Sequence, residues 1–307
     1  MTTMVSLAEA AASREQLGTP GHEIWRTHFL AAAPGTRDPQ AFMVQYAPGR
    51  VLRTHFHDVD EFQIVVAGQG SFGRHAIAAF TVHFARAFTP YGPIVAGVEG
   101  LAFLTLRAQR DSAGPQLLPD QRGALDKVIA RHPWQVAERL SLAPADAAMS
   151  IVPLTKLIDG SGLAAWVVQL PPGCCAALPP AQGSGGQYVV ALQGSIRLGS
   201  RTLAAPAVGF VAHNEVSLNL ASDREAATLV VLNFPRPEAT VQPDVAQTGS
   251  VKVWRCDLCG LRYSEADGQP QFGVAPRTAW TDLPPDWCCS DCHAPKSEFT
   301  QIADTAP

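Results

Sequence analysis

Seven residues of this 307-residue chain stand at spacings that suit metal chemistry. Four are cysteines in two C-x2-C pairs, Cys256/Cys259 and Cys289/Cys292. A C-x2-C turn lets two thiolates reach one tetrahedral ion while the turn's N–H groups point at the sulfurs, so two such turns make a four-sulfur site. On spacing alone, zinc and iron both satisfy it. The other three are His55, His57 and Glu61. They are two and four residues apart, and even separations along a strand share a face. Two imidazoles and a carboxylate form the facial set of non-haem iron(II), with positions left for substrate and O₂; manganese, nickel or zinc is also acceptable.

The frame around the histidines is more specific than the histidines alone. Residues 49–68, GRVLRTHFHDVDEFQIVVAG, resemble the first signature of the cupin family, G-x5-H-x-H-x3-E-x6-G, at Gly49, His55, His57, Glu61 and Gly68. The resemblance implies a β-barrel with an interior site holding Fe(II) or another divalent metal. The second signature of that family, P-x-G-x2-H, is met only by Pro90-Tyr91-Gly92-Pro93-Ile94-Val95, with Val95 where a fourth ligand is expected. His83 and Tyr91 are the candidates to approach from neighbouring strands. Arg53, Tyr91 and Arg107 are the candidate substrate contacts, the arginines as clamps for an anion. Gln63 shares the parity of the ligands, but a structural hydrogen bond is expected of it.

The sequence VWRCDLCGLRYSEADGQPQFGVAPRTAWTDLPPDWCCSDCHAPKSEFTQI resembles rubredoxin over its length. The match runs through C-x2-C-G at 256–260, Tyr263, Asp267-Gly268, Gly273, Pro276, Thr278, Trp280, Asp282-Leu283-Pro284, Asp286-Trp287 and Phe299. It implies one iron on Cys256, Cys259, Cys289 and Cys292, and a small core of Trp254, Tyr263, Trp280, Trp287 and Phe299. So short a module needs its metal to fold. The second knuckle departs from the usual C-P-x-C-G: here it is Cys289-Ser290-Asp291-Cys292-His293, which alters the N–H···S geometry and with it the potential. Cys288 is a competing ligand in a slipped register.

These sites must be positioned by short strands. Gly and Pro number 25 each and punctuate runs such as AFMVQYAP, EFQIVVAG and LAFLTLR. Shifted by 124, residues 41–72 align without a gap onto 165–196, with Gln45/Gln169, Pro48/Pro172, Gly49/Gly173, Gln63/Gln187, Val65/Val189, Gly70/Gly194 and Ser71/Ser195 identical. At that offset His55, His57 and Glu61 become Pro179, Ala181 and Gly185, so the second copy keeps the framework and loses every ligand. The expected fold class is mainly β: two cupin-type jelly-roll barrels plus a small rubredoxin-like module. The expected division is 1–145 for the first barrel with a helix-rich lead-in over 1–35 and a connecting helix within 119–142, 146–237 for the degenerate second barrel, 238–250 for a linker and 251–303 for the cysteine module.

Charge and cysteine usage narrow the function. A net charge of −4 with no basic stripe argues against nucleic acid and anionic membranes. No apolar run is long enough to span a bilayer, and the N-terminus does not read as a signal peptide. Five of the seven cysteines fall between 256 and 292, which points to metal in a reducing, cytoplasmic setting; adjacent Cys174 and Cys175 carry no expected role. Two functions follow. One is an iron-dependent cupin-type oxygenase acting on a small organic substrate, with the tethered iron delivering electrons from an NAD(P)H-dependent rubredoxin or ferredoxin reductase. The other is a non-catalytic ligand-binding or redox-sensing cupin with the same carrier.

Overall fold

The computed structural model describes residues 4–18, 23–128, 133–142, 148–216, 218–237, 252–257, 261–269, 272, 274–285, 287–291 and 294–302. Cys259, Cys292, His293, His132 and the expected linker lie outside the described residues.

The two copies of the repeat fold alike because their apolar residues alternate alike. In the first, Glu61–Phe72, Ile94–Arg107 and Gln40–Tyr46 are successive antiparallel neighbours. In the second, the same order is built by Gln187–Gln193, Ala227–Asn233 and Ala164–Leu170. The strand Glu61–Phe72 shows how one sequence serves two cores. Phe62 and Ile64 face the second barrel, in a cluster with Val190, Val230, Leu232 and Phe234. Val65 and Phe72 face into the first barrel with Tyr91, Ile94 and Phe103. The closing glycine of the motif, Gly68, has φ +75° and lies where a Cβ would meet the Gly100 carbonyl oxygen at 2.2 Å. Only glycine fits there.

The second barrel is packed solid. Val168, Leu170, Ala176, Leu178, Ala181, Val189, Ile196 and Leu229 fill its interior. Ala181, the counterpart of His57, is 1% exposed within that fill. Gln187 bonds Asn233 Oδ1 and the Pro179 carbonyl, a structural role.

One expectation is corrected and another is met in part. The lead-in holds more strand than helix: Leu7–Ala10, held by a Ser6/Glu9 capping box, runs into the 3-10 turn Ala11–Ser13, whereas Met4–Ser6, Glu15–Leu17 and Ile24–Leu30 are all extended. Met4–Ser6 pairs with Ala207–Val211 of the second barrel, whereas Glu15–Leu17 and Ile24–Leu30 extend the first. Among the described residues, the connecting segment holds a short helix, Arg122–Asp126, within the expected span, and Gln135–Arg139 is a strand on Thr81–Ala85. In both places a waiting sheet edge outweighed local helical spacing.

The C-terminal module is a three-stranded sheet of Arg262–Ser264, Val253–Cys256 and Phe299–Ile302. Its expected core forms: Trp254 stacks on Trp280 at 4.6 Å, and Tyr263, Trp287 and Phe299 pack around Trp280. No helix among the described residues is long and apolar enough to cross a membrane.

Candidate functional site

The first barrel contains a cavity of about 230 Å³. Ile24, Phe42, Val44, Leu52 and Phe103 form its apolar walls. His55, His57, Glu61, Gln63, Tyr91, Arg107 and Asp111 form its polar floor. The three expected ligands therefore do reach one place. His55 opens the strand His55–Phe56, which pairs with Gln116–Leu117, and Glu61 opens Glu61–Phe72.

Each histidine is oriented from behind. His55 Nδ1 donates to the Arg53 carbonyl at 2.9 Å, and His57 Nδ1 lies 2.6 Å from Asp111 Oδ2. That leaves each Nε2 as the lone-pair nitrogen, the arrangement seen behind metal-bound imidazoles. Burial, then the neighbouring His57, pushes the His55 pKa down to about 4.

Glu61 decides what the site can hold. Its Oε1 accepts from Tyr91 Oη at 2.5 Å; its Oε2 accepts from Arg107 Nε at 2.7 Å and lies 2.5 Å from Nη2. Burial acts to raise its pKa, but Arg107, His57 and Tyr91 outweigh it and hold the carboxyl near 2. Burial and the adjacent Glu61 push the Tyr91 hydroxyl far up, so it remains a donor. Arg107 also reaches His57, with Nη2 3.3 Å from Nε2. Its Nη1 donates to Gln40 Oε1 at 3.0 Å and lies 3.1 Å from Asp111 Oδ2. A guanidinium thus stands between the carboxylate and the imidazole that an ion would bridge. Among the described residues, no three of His, Cys, Asp or Glu are placed to hold one ion.

The sequence leads to the expectation of a divalent metal shared by His55, His57 and Glu61. The donor types are right, but the carboxylate is spent on Arg107 and Tyr91, and the arrangement does not fit a bound ion. Arg107 is no open clamp either, since its donors are turned onto protein groups. Arg53 lies outside the cavity: it is exposed and pairs with Asp120 at 2.7 Å. His83 stands one layer behind the floor, bonded to Gln63 and Gln135. Gln63 in turn donates to Tyr91 Oη at 2.8 Å, so it lines the cavity and also serves the expected structural bond. Asp111 was not legible as a site residue. Its only signal is a spacing of four from Arg107, on a loop past the strand's end.

The sulfur site is assembled by two matching loops. Cys256 N donates to Leu261 O and Cys289 N to Ala294 O, each at 2.8 Å and each across five residues. Both cysteines are fully buried, whereas Cys288 is half-buried. Two buried cysteines, each fixed by a matching backbone bond, are the described half of the expected four-sulfur set.

The module packs against the first barrel. Phe56, Leu118 and Leu125 share one apolar cluster with Cys256, Leu261, Tyr263, Trp280 and Cys289. Arg255 reaches Asp126 at 3.7 Å, and the Arg74 guanidinium lies 4.5 Å from the Phe272 ring centre. Phe56 sits in the sequence between His55 and His57, so the segment that floors the cavity presents its other face to the sulfur module.

Fold and site define a class: two cupin-type barrels joined to a cysteine-bearing redox module. Over 76% of its length the chain is similar in fold to Bacillus subtilis oxalate decarboxylase (77% of that chain, TM-score 0.52, 13% identity). It is similar to the nickel(II)-bound pirin YhhW of Escherichia coli (77% of this chain, all of that one, TM-score 0.50, 11% identity). It is also similar to a putative dioxygenase of Nostoc punctiforme (81% and 87%, TM-score 0.52, 13% identity). Residues 253–299 match the Rubredoxin family. Over 52 residues, 17% of this chain, they are 48% identical to Rubredoxin of Acinetobacter baylyi, covering 96% of it. Rubredoxin-1 of Pseudomonas aeruginosa is 46% identical over 52 residues, with 94% of it covered. Through this module the chain belongs to the rubredoxin family, and it is a metal-dependent redox protein whose relatives imply iron held by cysteine.

Proposed function

We propose that the chain couples a one-electron iron carrier to a small-molecule cavity in its first barrel. Cys256, Cys259, Cys289 and Cys292 hold the iron, which when bound cycles between ferric and ferrous states. Phe56 carries the reading: its neighbours His55 and His57 line the cavity while its own ring joins the apolar cluster of the sulfur module. The reductant is an NAD(P)H-dependent rubredoxin or ferredoxin reductase, and the setting is the cytoplasm. A covalent carrier already docked on the barrel acts at an effective concentration of about mM or higher. The cavity volume suits an organic molecule of modest size with an apolar body. The second barrel is the structural partner, and the units divide at about 145, 237 and 250.

The test is a thermal-shift screen of small organic molecules on the full chain, followed by dithionite reduction of the iron with each hit. A hit should change the reduction rate or midpoint potential of the iron, and Phe56→Asp should abolish that coupling. Binding with no effect on the iron, or no binder at all, would refute it.

A second reading is the iron-dependent oxygenase. It is favoured by one observation, that both Nδ1 atoms are tied back, which makes each Nε2 the lone-pair nitrogen. It requires Arg107 to leave Glu61.

A further inference from the structure

We infer that Arg107 is the resident cation of the first barrel, filling the place an ion would take, and that the cavity therefore receives a neutral organic molecule bearing a hydroxyl or similar donor. The inference rests on the small-molecule reading of this cavity and names its ligand class.

The guanidinium has five N–H groups. Glu61 takes Nε and one Nη2 hydrogen, and His57 faces the other. Gln40 and Asp111 take those on Nη1. The carboxylate of Glu61 and the imidazole of His57, two of the three groups an ion would need, are thus already engaged. The guanidinium is also fixed in place. Arg107 is 5% exposed, and its guanidinium lies 5.5 Å from the Phe42 ring centre. Its carbonyl accepts from Tyr188 Oη at 2.9 Å. Arg107 and Asp111 are four residues apart, so one turn of chain delivers both the cation and the carboxylate that orients His57. A divalent ion beside the guanidinium would be repelled by it and would meet a Glu61 whose two oxygens both already accept hydrogen bonds.

The same count sets the ligand class. With the guanidinium saturated, nothing on the floor offers an open positive donor to a carboxylate. What remains is an acceptor. His55 Nδ1 is committed to the Arg53 carbonyl, which makes Nε2 the lone-pair nitrogen of the ring, an acceptor. A phenol or alcohol can donate to it with its apolar body against Phe42 and Phe103.

The experiment uses the full chain, with the sulfur-bound iron as internal standard. After anaerobic incubation with excess Fe(II), Mn(II) or Co(II) and gel filtration, the protein should carry one equivalent of metal. Arg107→Ala should gain a second equivalent of Co(II) with a ligand-field spectrum of nitrogen and oxygen donors, and Arg107→Ala/His57→Gln should lose it. A second equivalent in the unaltered chain, removed by His57→Gln, would overturn the inference, as would a folded Arg107→Ala that gains none. If Arg107→Ala fails to fold, the unaltered chain still decides. In parallel, phenol and benzoate probe one ring with and without charge. Phenol should raise the melting temperature and His55→Ala should abolish the effect; preference for benzoate would overturn the ligand class. Neither outcome depends on electron coupling, so failure here is distinguishable from failure of the proposed function.

Discussion

The Tyr188 hydroxyl of the second barrel lies 2.9 Å from the carbonyl oxygen of Arg107 and 3.0 Å from that of Gln40. The barrel that has Pro179, Ala181 and Gly185 in place of the triad thereby holds the two strands that deliver the guanidinium and one of its acceptors in the other barrel. Tyr188→Phe removes the donor from two buried carbonyls. It should cost about 1–3 kcal/mol in urea unfolding. A change below about 0.5 kcal/mol would mean the bond is incidental.

The module and the barrel should separate when the shared apolar cluster is broken. Phe56 is fully buried, and burying a carboxylate in its place is not tolerated without a partner. With a protease site engineered between residues 238 and 250, the cut module should stay bound to the barrels in the unaltered chain and elute separately in Phe56→Asp. Asp126→Lys should weaken the contact far less, by no more than about 1 kcal/mol, because that pair is about one-third exposed.

Cys256→Ser should abolish the iron and its visible absorption. The module should unfold locally, since its aromatic core is small and the metal supplies much of its stability. The barrels should keep their cooperative transition in circular dichroism. Cys288→Ser should leave the absorption intact, because the buried Cys289 holds the register.

His83 makes stability fall with acidity. Burial first, and His75 second, lowers its pKa to about 4, against about 6.5 in the unfolded chain. Above pH 6.5 both states are neutral and its contribution is complete. Below that, the unfolded state takes up the proton first, so stability is lost as pH falls from 6.5 to 4, by about 3 kcal/mol in all. His83→Gln should flatten the dependence of the unfolding free energy on pH by about 1 kcal/mol per pH unit between 6.5 and 4.5. Parallel slopes for the two proteins would show that His83 does not titrate in this way.

Much of this molecule is written in local pattern. The two-residue period of EFQIVVAG and the gapless 124-residue offset marked a duplicated β domain, and the resemblances to the cupin and rubredoxin motifs implied the barrels and the aromatic core of the cysteine module. Such features are readable because strand faces, turns and knuckles are set by neighbours in the chain. The lead-in was not readable: Met4–Ser6 is extended only because Ala207–Val211, some 200 residues on, offers an edge. Nor was the fate of the triad. Spacing puts His55, His57 and Glu61 on one face, but Glu61 is claimed by Arg107, 46 residues away, and His57 by Asp111, 54 away. Which cation meets a buried carboxylate depends on which strand pairs beside it and in what register: Leu106 lies opposite Phe62, which sets Arg107 next to Glu61. That pairing joins strands far apart in the chain, and no local spacing encodes it.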